Sequence, residues 1–227
     1  MNNLIAQVKQ AKEAALKLAS IGEKTKNSAL TYLAESIKEN KNEIIKENKK
    51  DVEKAEANNL SESLIKRLIL DDKKINEIIE IIESVKALEG PIGKITEKTE
   101  LDKNLVLEKI TVPIGLIGAI FESRPDATIQ IISLCIKSGN AVILKGGSES
   151  INTNKMLVKL IKDSLKKASI PQDSIQLIKT REEVREILKL HDYIDLVIPR
   201  GSNKFVKYIQ ENTKIPVLGH SEGICHV

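Results

Sequence analysis

Three short segments carry residues whose types and spacing could do chemistry: FESRPDA at residues 121–127, KGGSES at 145–150 and PRGSN at 199–203. They follow the apolar runs GLIGAIF, AVIL and YIDLVI in turn, and each leads into a helical pattern. In KGGSES, Gly146 and Gly147 let the backbone approach a ligand, Ser148 can cap a helix or donate a hydrogen bond, and Lys145 adds a positive point charge. An anionic ligand suits that loop; the alternative is a plain turn, since paired glycines after a strand also simply reverse the chain. PRGSN sets Gly201 and Ser202 ahead of a helix whose unpaired N–H groups attract phosphate, with Arg200 beside them. The alternative there is an ordinary Ser or Asn helix cap. Neither loop has the G-x-G-x-x-G spacing, so the standard dinucleotide fingerprint is not supported.

Cys225 adjoins His226, which suggests a thiol nucleophile and its base. Neighbouring side chains in an extended strand point to opposite faces, however, so in ICHV the two cannot share a hydrogen bond. Cys225 is expected to be a buried structural thiol, as is Cys135, which lies between Leu134 and Ile136 in a helical pattern. No catalytic residue is assigned. The two cysteines lie far apart without metal-type spacing, so neither a metal site nor a disulfide framework is expected.

The elements that must hold these loops are readable from periodicity. Residues 2–88 are helical: Leu4, Ile5, Val8, Ala11, Ala15 and Leu18 recur at helical spacing, as do Leu30, Leu33, Ala34 and Ile37, and later Ile75, Ile78, Ile79, Ile82 and Val85. Gly90 and Pro91 stop the pattern. Around GKITEKTE and KNLVLEKITVPIG, β-branched residues alternate with charges, predicting a hairpin or arm. Strand and helix then alternate: a strand at GLIGAIF, a helix over 126–137, a Gly139-Asn140 turn, a strand at AVILK, a helix over 151–168, a strand at SIQLI, a helix over 182–190, a strand at YIDLVIP and a helix over 203–211. IPVLG and ICHV close the chain. Repeated strand–helix units imply a parallel sheet covered by helices on both faces, with ligands outside the carboxyl ends of its strands.

Composition removes several classes. Of 227 residues 41% are apolar, enough for a proper core, but 2% are aromatic and none is Trp, so the core is aliphatic. The net charge of +4 arises from 36 basic and 32 acidic residues interspersed on helix faces, not from a basic stripe, so nucleic acid is not an expected partner. No signal peptide or membrane span is expected, and a reducing cytoplasm suits the cysteine usage.

In this order the loops resemble the aldehyde dehydrogenase superfamily, and most closely its gamma-glutamyl phosphate reductase branch, also called glutamate-5-semialdehyde dehydrogenase. The resemblance is carried by VPIGLIGAIFESRPDATIQIISLCIKSGNAVILKGGSE (residues 112–149), by ENKKDVEKAEANNLSESLIKRL, by YIDLVIPRGSNKFVKYI and by IPVLGHSEGICHV. It implies an aldehyde dehydrogenase-like three-layer α/β/α fold with a parallel sheet, preceded by N-terminal helices. The implied division is 1–90 for helices packing on the cofactor domain, 91–111 for a hairpin arm used in oligomerisation, and 112–227 for an α/β NADP-binding domain running into a catalytic domain.

The resemblance further implies NADPH-dependent reduction of L-glutamyl 5-phosphate to glutamate 5-semialdehyde and phosphate, the second step from glutamate to proline. An enzyme thiolate displaces phosphate and hydride reduces the thioester. Lys145, Ser148 and Glu149 match a KPSE-like adenosine-ribose site, although KGGSE is one residue longer; Gly146 and Gly147 belong to the same loop. Gly201 and Ser202 match the motif at the pyrophosphate helix, and Glu122, Ser123, Arg124 and Pro125 are implied to face the substrate. Implied partners are L-glutamyl 5-phosphate, glutamate 5-kinase and further copies of the chain. The family's nucleophile is expected beyond Val227, which implies a cofactor-binding portion without turnover of its own. Leu218 stands where hydrolytic members carry a water-activating Glu, with Glu222 nearby, which favours reduction over oxidation. The alternatives are a non-catalytic nucleotide-binding module of the same fold and an aldehyde-oxidising dehydrogenase.

Overall fold

The computed structural model describes residues 2–219. Five helices come first: α1 (Asn2–Ala19), α2 (Glu23–Glu39), α3 (Lys41–Ala57), α4 (Glu62–Leu68) and α5 (Asp72–Ala87). Two strands follow, β1 (Ile95–Asp102) and β2 (Leu105–Ile110), and then the alternating part: β3 (Leu116–Ile120), α6 (Pro125–Lys137), β4 (Ala141–Lys145), α7 (Ile151–Lys167), β5 (Ile175–Leu177), α8 (Arg181–Ile187), β6 (Leu196–Pro199) and α9 (Asn203–Glu211). The last four strands form one parallel sheet in the order β5-β4-β3-β6. This is the parallel α/β architecture with preceding helices that the alternation of patterns predicts.

The central strands β3 and β4 are apolar on both faces because both faces are covered. Ile117, Ala119, Phe121, Val142 and Leu144 join a core built with α2, α5, α6 and α7. Their neighbours Leu116, Ile120, Ala141 and Ile143 point the other way, into a second core with α1, α8 and α9. The N-terminal helices are therefore split. Helix α1 covers one face with Val8, Ala11 and Ala15, whereas Leu30, Leu33, Ile75 and Ile78 of α2 and α5 pack on the other.

Polar contacts fix α1 at the sheet's amino end. Lys12 Nζ donates to both Asp195 oxygens at 2.7 and 2.6 Å, and Asp195 also accepts from the Leu116 N–H at 2.7 Å. Gly115 sits at φ +125, and a Cβ there would come within 2.2 Å of the Asp195 carboxylate, so only glycine lets this junction close. The same use of Asp195 shortens the expected YIDLVIP strand to Leu196–Pro199. SIQLI likewise contracts to three residues, and IPVLG makes a single parallel bridge, Val197 to Val217. Strand ICHV and its Cys225 lie outside the described residues.

Strands β1 and β2 pair antiparallel from Ile95–Ile110 to Asp102–Leu105, with every residue exposed. Lys98 and Glu108 face each other across the pair at 2.8 Å. Leu101, Leu105, Val106 and Leu107 lie bare along it.

Candidate functional site

Strand order sets where a ligand can enter. The chain leaves β3 through α6 and α7 on one face of the sheet, then returns through α8 on the other face to place β6 on the far side of β3. The crevice outside the carboxyl ends of β3 and β6 is thus a topological switch point. FESRPDA, KGGSES and PRGSN all emerge at this end of the sheet.

A groove of about 550 Å³ opens there between α8 and α9. Its floor is Ile120 and Phe121; Lys145 and Glu122 stand at its strand ends, and Arg200, Gly201 and Ser202 form one rim. Ser202 is the N-cap of α9, its hydroxyl accepting from the Phe205 N–H at 3.4 Å. The cap satisfies one of the four N–H groups that the first turn of an α-helix leaves unpaired. A Cβ on Gly201 would lie 3.2 Å from the Phe205 ring, so glycine keeps the groove open beside that ring. Phe205 and Tyr208, one helical turn apart on α9, face Val184, Arg181 and Arg185 of α8 across the groove.

KGGSES does not enter this groove as a unit. Lys145 lines it, but Gly147, Ser148 and Glu149 line an adjoining hollow of about 330 Å³ toward α3 and α4, with Ser123, Leu64 and Arg67. The Ser123 hydroxyl donates to Glu149 Oε2, and the Ser148 hydroxyl to Oε1 at 3.1 Å. Burial alone would raise the Glu149 carboxyl, but the hydrogen bonds from Ser123, its own backbone and Ser148, with the Lys145 charge, hold it below the ordinary carboxylate value. A Cβ on Gly147 would fall 1.8 Å from Ser123 Oγ, and one on Gly146 2.5 Å from Asn154 Nδ2. Both glycines therefore make room for protein side chains. Lys145 Nζ donates to the Gly146 carbonyl at 2.7 Å.

Glu122 borders the groove, the hollow and a third space of about 650 Å³ beside α6, and it pairs with Arg67 of α4 at 3.6 Å. Arg124 turns to Asp126 at 2.7 Å, which raises its guanidinium further, and Pro125 occupies the first turn of α6. Cys135 borders the third space as a buried free thiol whose pKa burial pushes up to about 12, a poor nucleophile. Among the described residues no group of three or more His, Cys, Asp or Glu is arranged for a metal ion, and no helix is long and apolar enough to cross a membrane.

Sequence reasoning missed Arg67, Arg181, Arg185, Phe205 and Tyr208. The last two were findable, because their spacing of three places both on one face of the helix after PRGSN. Arg181 is the first residue of α8, just past the loop that leaves β5, a fourth strand end at the same edge, which carries no glycine to draw notice. The arrangement suits a ligand with a flat base and anionic groups: rings and a valine flank a slot, and cations with a helix N-terminus stand at its end.

The aldehyde dehydrogenase family profile matches residues 2–218. A gamma-glutamyl phosphate reductase of Pelotomaculum thermopropionicum is 52% identical over 227 residues, all of this chain and 52% of the relative. The crystal structure of gamma-glutamyl phosphate reductase from Thermotoga maritima superposes with a TM-score of 0.92 at 38% identity, over 95% of this chain and 52% of that one. Its Saccharomyces cerevisiae counterpart gives 0.89 at 41% identity, over 97% and 56%. The chain spans about half the length of the curated relatives it matches. With the family profile covering nearly all of it, the chain belongs to the aldehyde dehydrogenase family.

Proposed function

We propose that these residues form the coenzyme side of a gamma-glutamyl phosphate reductase, which reduces L-glutamyl 5-phosphate to glutamate 5-semialdehyde and phosphate with NADPH on the route from glutamate to proline. The observation that carries the reading is the groove at the switch point, lined by Lys145, Arg200, Gly201 and Ser202, with Val184 of α8 across from Phe205 and Tyr208 of α9. Identity of about half the residues to the named reductases supports the same reading. When bound, the coenzyme supplies hydride. The α9 N-terminus and Arg200 would hold its phosphates and Lys145 its adenosine ribose, the two rings and Val184 would flank its base, and the Arg67–Glu122 pair borders the space where coenzyme and substrate would meet. Leu218, where hydrolytic members would carry a base, is an exposed leucine, which favours reduction over oxidation to the acid.

Residues 1–90 pack on the coenzyme unit, 91–111 form an arm between copies of the chain in a homo-oligomer, and 112–227 hold the coenzyme; the location is cytoplasmic, and glutamate 5-kinase supplies the acyl phosphate. Fluorescence titration of the chain with NADPH tests the coenzyme part, and absence of saturable binding would overturn it. For the reaction, the chain extended to the full length of its relatives is expected to reduce NADP with glutamate 5-semialdehyde only when phosphate is added. Reduction that proceeds equally without phosphate would identify an aldehyde-oxidising dehydrogenase instead.

A further inference from the structure

Helix α4 is set in place by side chains that do not belong to it. Of its own residues only Leu68 is buried. Its end is nevertheless gripped from two sides. The buried Asn48 amide of α3 donates to the Leu68 carbonyl at 2.9 Å and accepts from the Leu70 N–H at 2.8 Å. Lys74 of α5 donates to the Lys66 and Ile69 carbonyls at 2.9 and 2.6 Å. These contacts satisfy carbonyls that the last turn of a helix leaves unpaired. Asn48 also donates to the Thr153 hydroxyl at 3.2 Å, so α4 and the first turn of α7, which follows the KGGSES loop, share one buried anchor.

A buried amide is a costly way to hold a helix that adds one side chain to the core. What the grip fixes is Arg67, the residue before Leu68, whose guanidinium meets Glu122 Oε2 at 3.6 Å. Both partners are about half exposed, and an ion pair so open to water adds little to stability. Its effect is on where the Glu122 carboxylate stands. Glu122 lines the groove among Lys145, Arg181, Arg185 and Arg200, and its other oxygen, Oε1, lies 4.0 Å from the place a Cβ on Gly201 would take. Gly201 leads into α9, whose positive end attracts any nearby anion. A carboxylate released from Arg67 could swing to that end or to the groove's cations and would there repel a phosphate.

We propose that Arg67 is a positioning residue for coenzyme binding: it holds Glu122 back from the α9 end of the groove, and Asn48 and Lys74 act through it by clasping α4. The peripheral helix is then a bracket for one guanidinium, and a buried amide in α3 governs a charge at the mouth of the groove without touching it. The inference rests on the groove being the coenzyme site.

Titration of the chain with NADPH at fixed ionic strength, followed by coenzyme fluorescence, tests each step. Arg67→Gln should weaken binding by at least about threefold, the effect of one uncompensated carboxylate near a phosphate at a half-exposed site. The double variant Arg67→Gln/Glu122→Gln should restore the affinity, a rescue that a merely structural arginine would not show. Asn48→Ala should weaken binding as Arg67→Gln does, and on the Arg67→Gln background it should add nothing, because both changes act on one carboxylate. Should Asn48→Ala fail to fold, Lys74→Gln, which loosens the same helix end, takes its place in the cycle. Unchanged affinity in Arg67→Gln overturns the inference and leaves the coenzyme site standing. A loss that Glu122→Gln does not rescue also overturns it, since Arg67 would then touch the coenzyme itself. Additive losses from Asn48→Ala and Arg67→Gln overturn the part assigned to Asn48. No saturable binding of NADPH by the wild type overturns both the inference and the reading beneath it.

Discussion

Replacing Asp51 by alanine should unfold the start of the loop-bearing helix α7, although the two positions are about a hundred residues apart. Ser150, at the N-cap of α7, makes no side-chain cap bond. The cap comes instead from α3: the Asp51 carboxylate accepts from the Thr153 N–H at 2.8 Å, the Thr153 hydroxyl at 2.7 Å, the Asn152 N–H at 3.2 Å and the Asn152 amide at 2.9 Å. Asp51 is 1% exposed and Thr153 fully buried, so neither donor of Thr153 can turn to water. Each of the two buried Thr153 donors left without an acceptor costs about 1–3 kcal/mol, and loss of an N-terminal cap with its charge about 1 more, giving roughly 3–7 kcal/mol for Asp51→Ala. Asp51→Asn keeps one acceptor and sets an N–H₂ against the other donors, for about half that. Urea unfolding followed by far-UV circular dichroism should show the alanine midpoint lowered by about 1 M or more at unchanged slope. Thr153→Val on the Asp51→Ala background should cost less than the sum of the single changes, because the valine no longer presents an unpaired hydroxyl. An Asp51→Ala midpoint within about 0.3 M of the wild type would refute the assignment of Asp51 as the cap of α7.

Other expectations follow from single contacts. Cys135, with its thiol pushed up to about 12, should resist alkylation in the native chain at pH 8 and react on unfolding, as followed by peptide mapping; rapid native labelling would contradict its burial. Lys137, almost wholly buried in α6, donates to Glu23 at 2.7 Å, Asn27 at 2.9 Å and the Lys86 carbonyl at 3.0 Å. Its hydrogen bond is the main influence holding Glu23 below the ordinary value of 4.5. A carboxyl depressed by folding stabilises above that value and loses the contribution as pH falls through its lowered one, so Lys137→Gln should flatten the acid limb of a stability–pH curve below about pH 4.5. An unchanged acid limb would show that the pair does not contribute. Gly147→Ala must displace Ser123 at both Oγ and Cβ, at 1.8 and 2.8 Å, and should destabilise by about 1–3 kcal/mol in thermal melting; an unaltered Tm would mean that the loop relaxes freely.

These expectations divide along a line that also separates what the sequence made legible from what it did not. Strands β3 and β4 read directly, because burial on both faces requires unbroken aliphatic runs, and the turn between α6 and β4 is marked by Gly139, whose φ of +71 favours glycine. Once strands and helices alternate, the three loops must gather at one end of the sheet, so their common location was legible without coordinates. What failed to read was set by partners distant in sequence. An amphipathic α1 has an apolar stripe whichever face it covers, and where it lies beneath β4 and β3 it is tied by Lys12 to Asp195, 183 residues on. ENKKD looks like a solvated helix face, yet Asn48 and Asp51 in it are buried, and Asp51 caps another helix. Glu149 shows the limit most plainly. The family resemblance assigns its carboxylate to a ribose, but Ser123, 26 residues earlier, and the missing Cβ of Gly147 turn it aside, and Arg181, which lines the groove, comes from the first turn of α8, where the sequence offers only the Thr180–Glu183 capping box. Residue type and spacing thus bring the loops together, while the direction in which each charge points is decided by contacts across the fold.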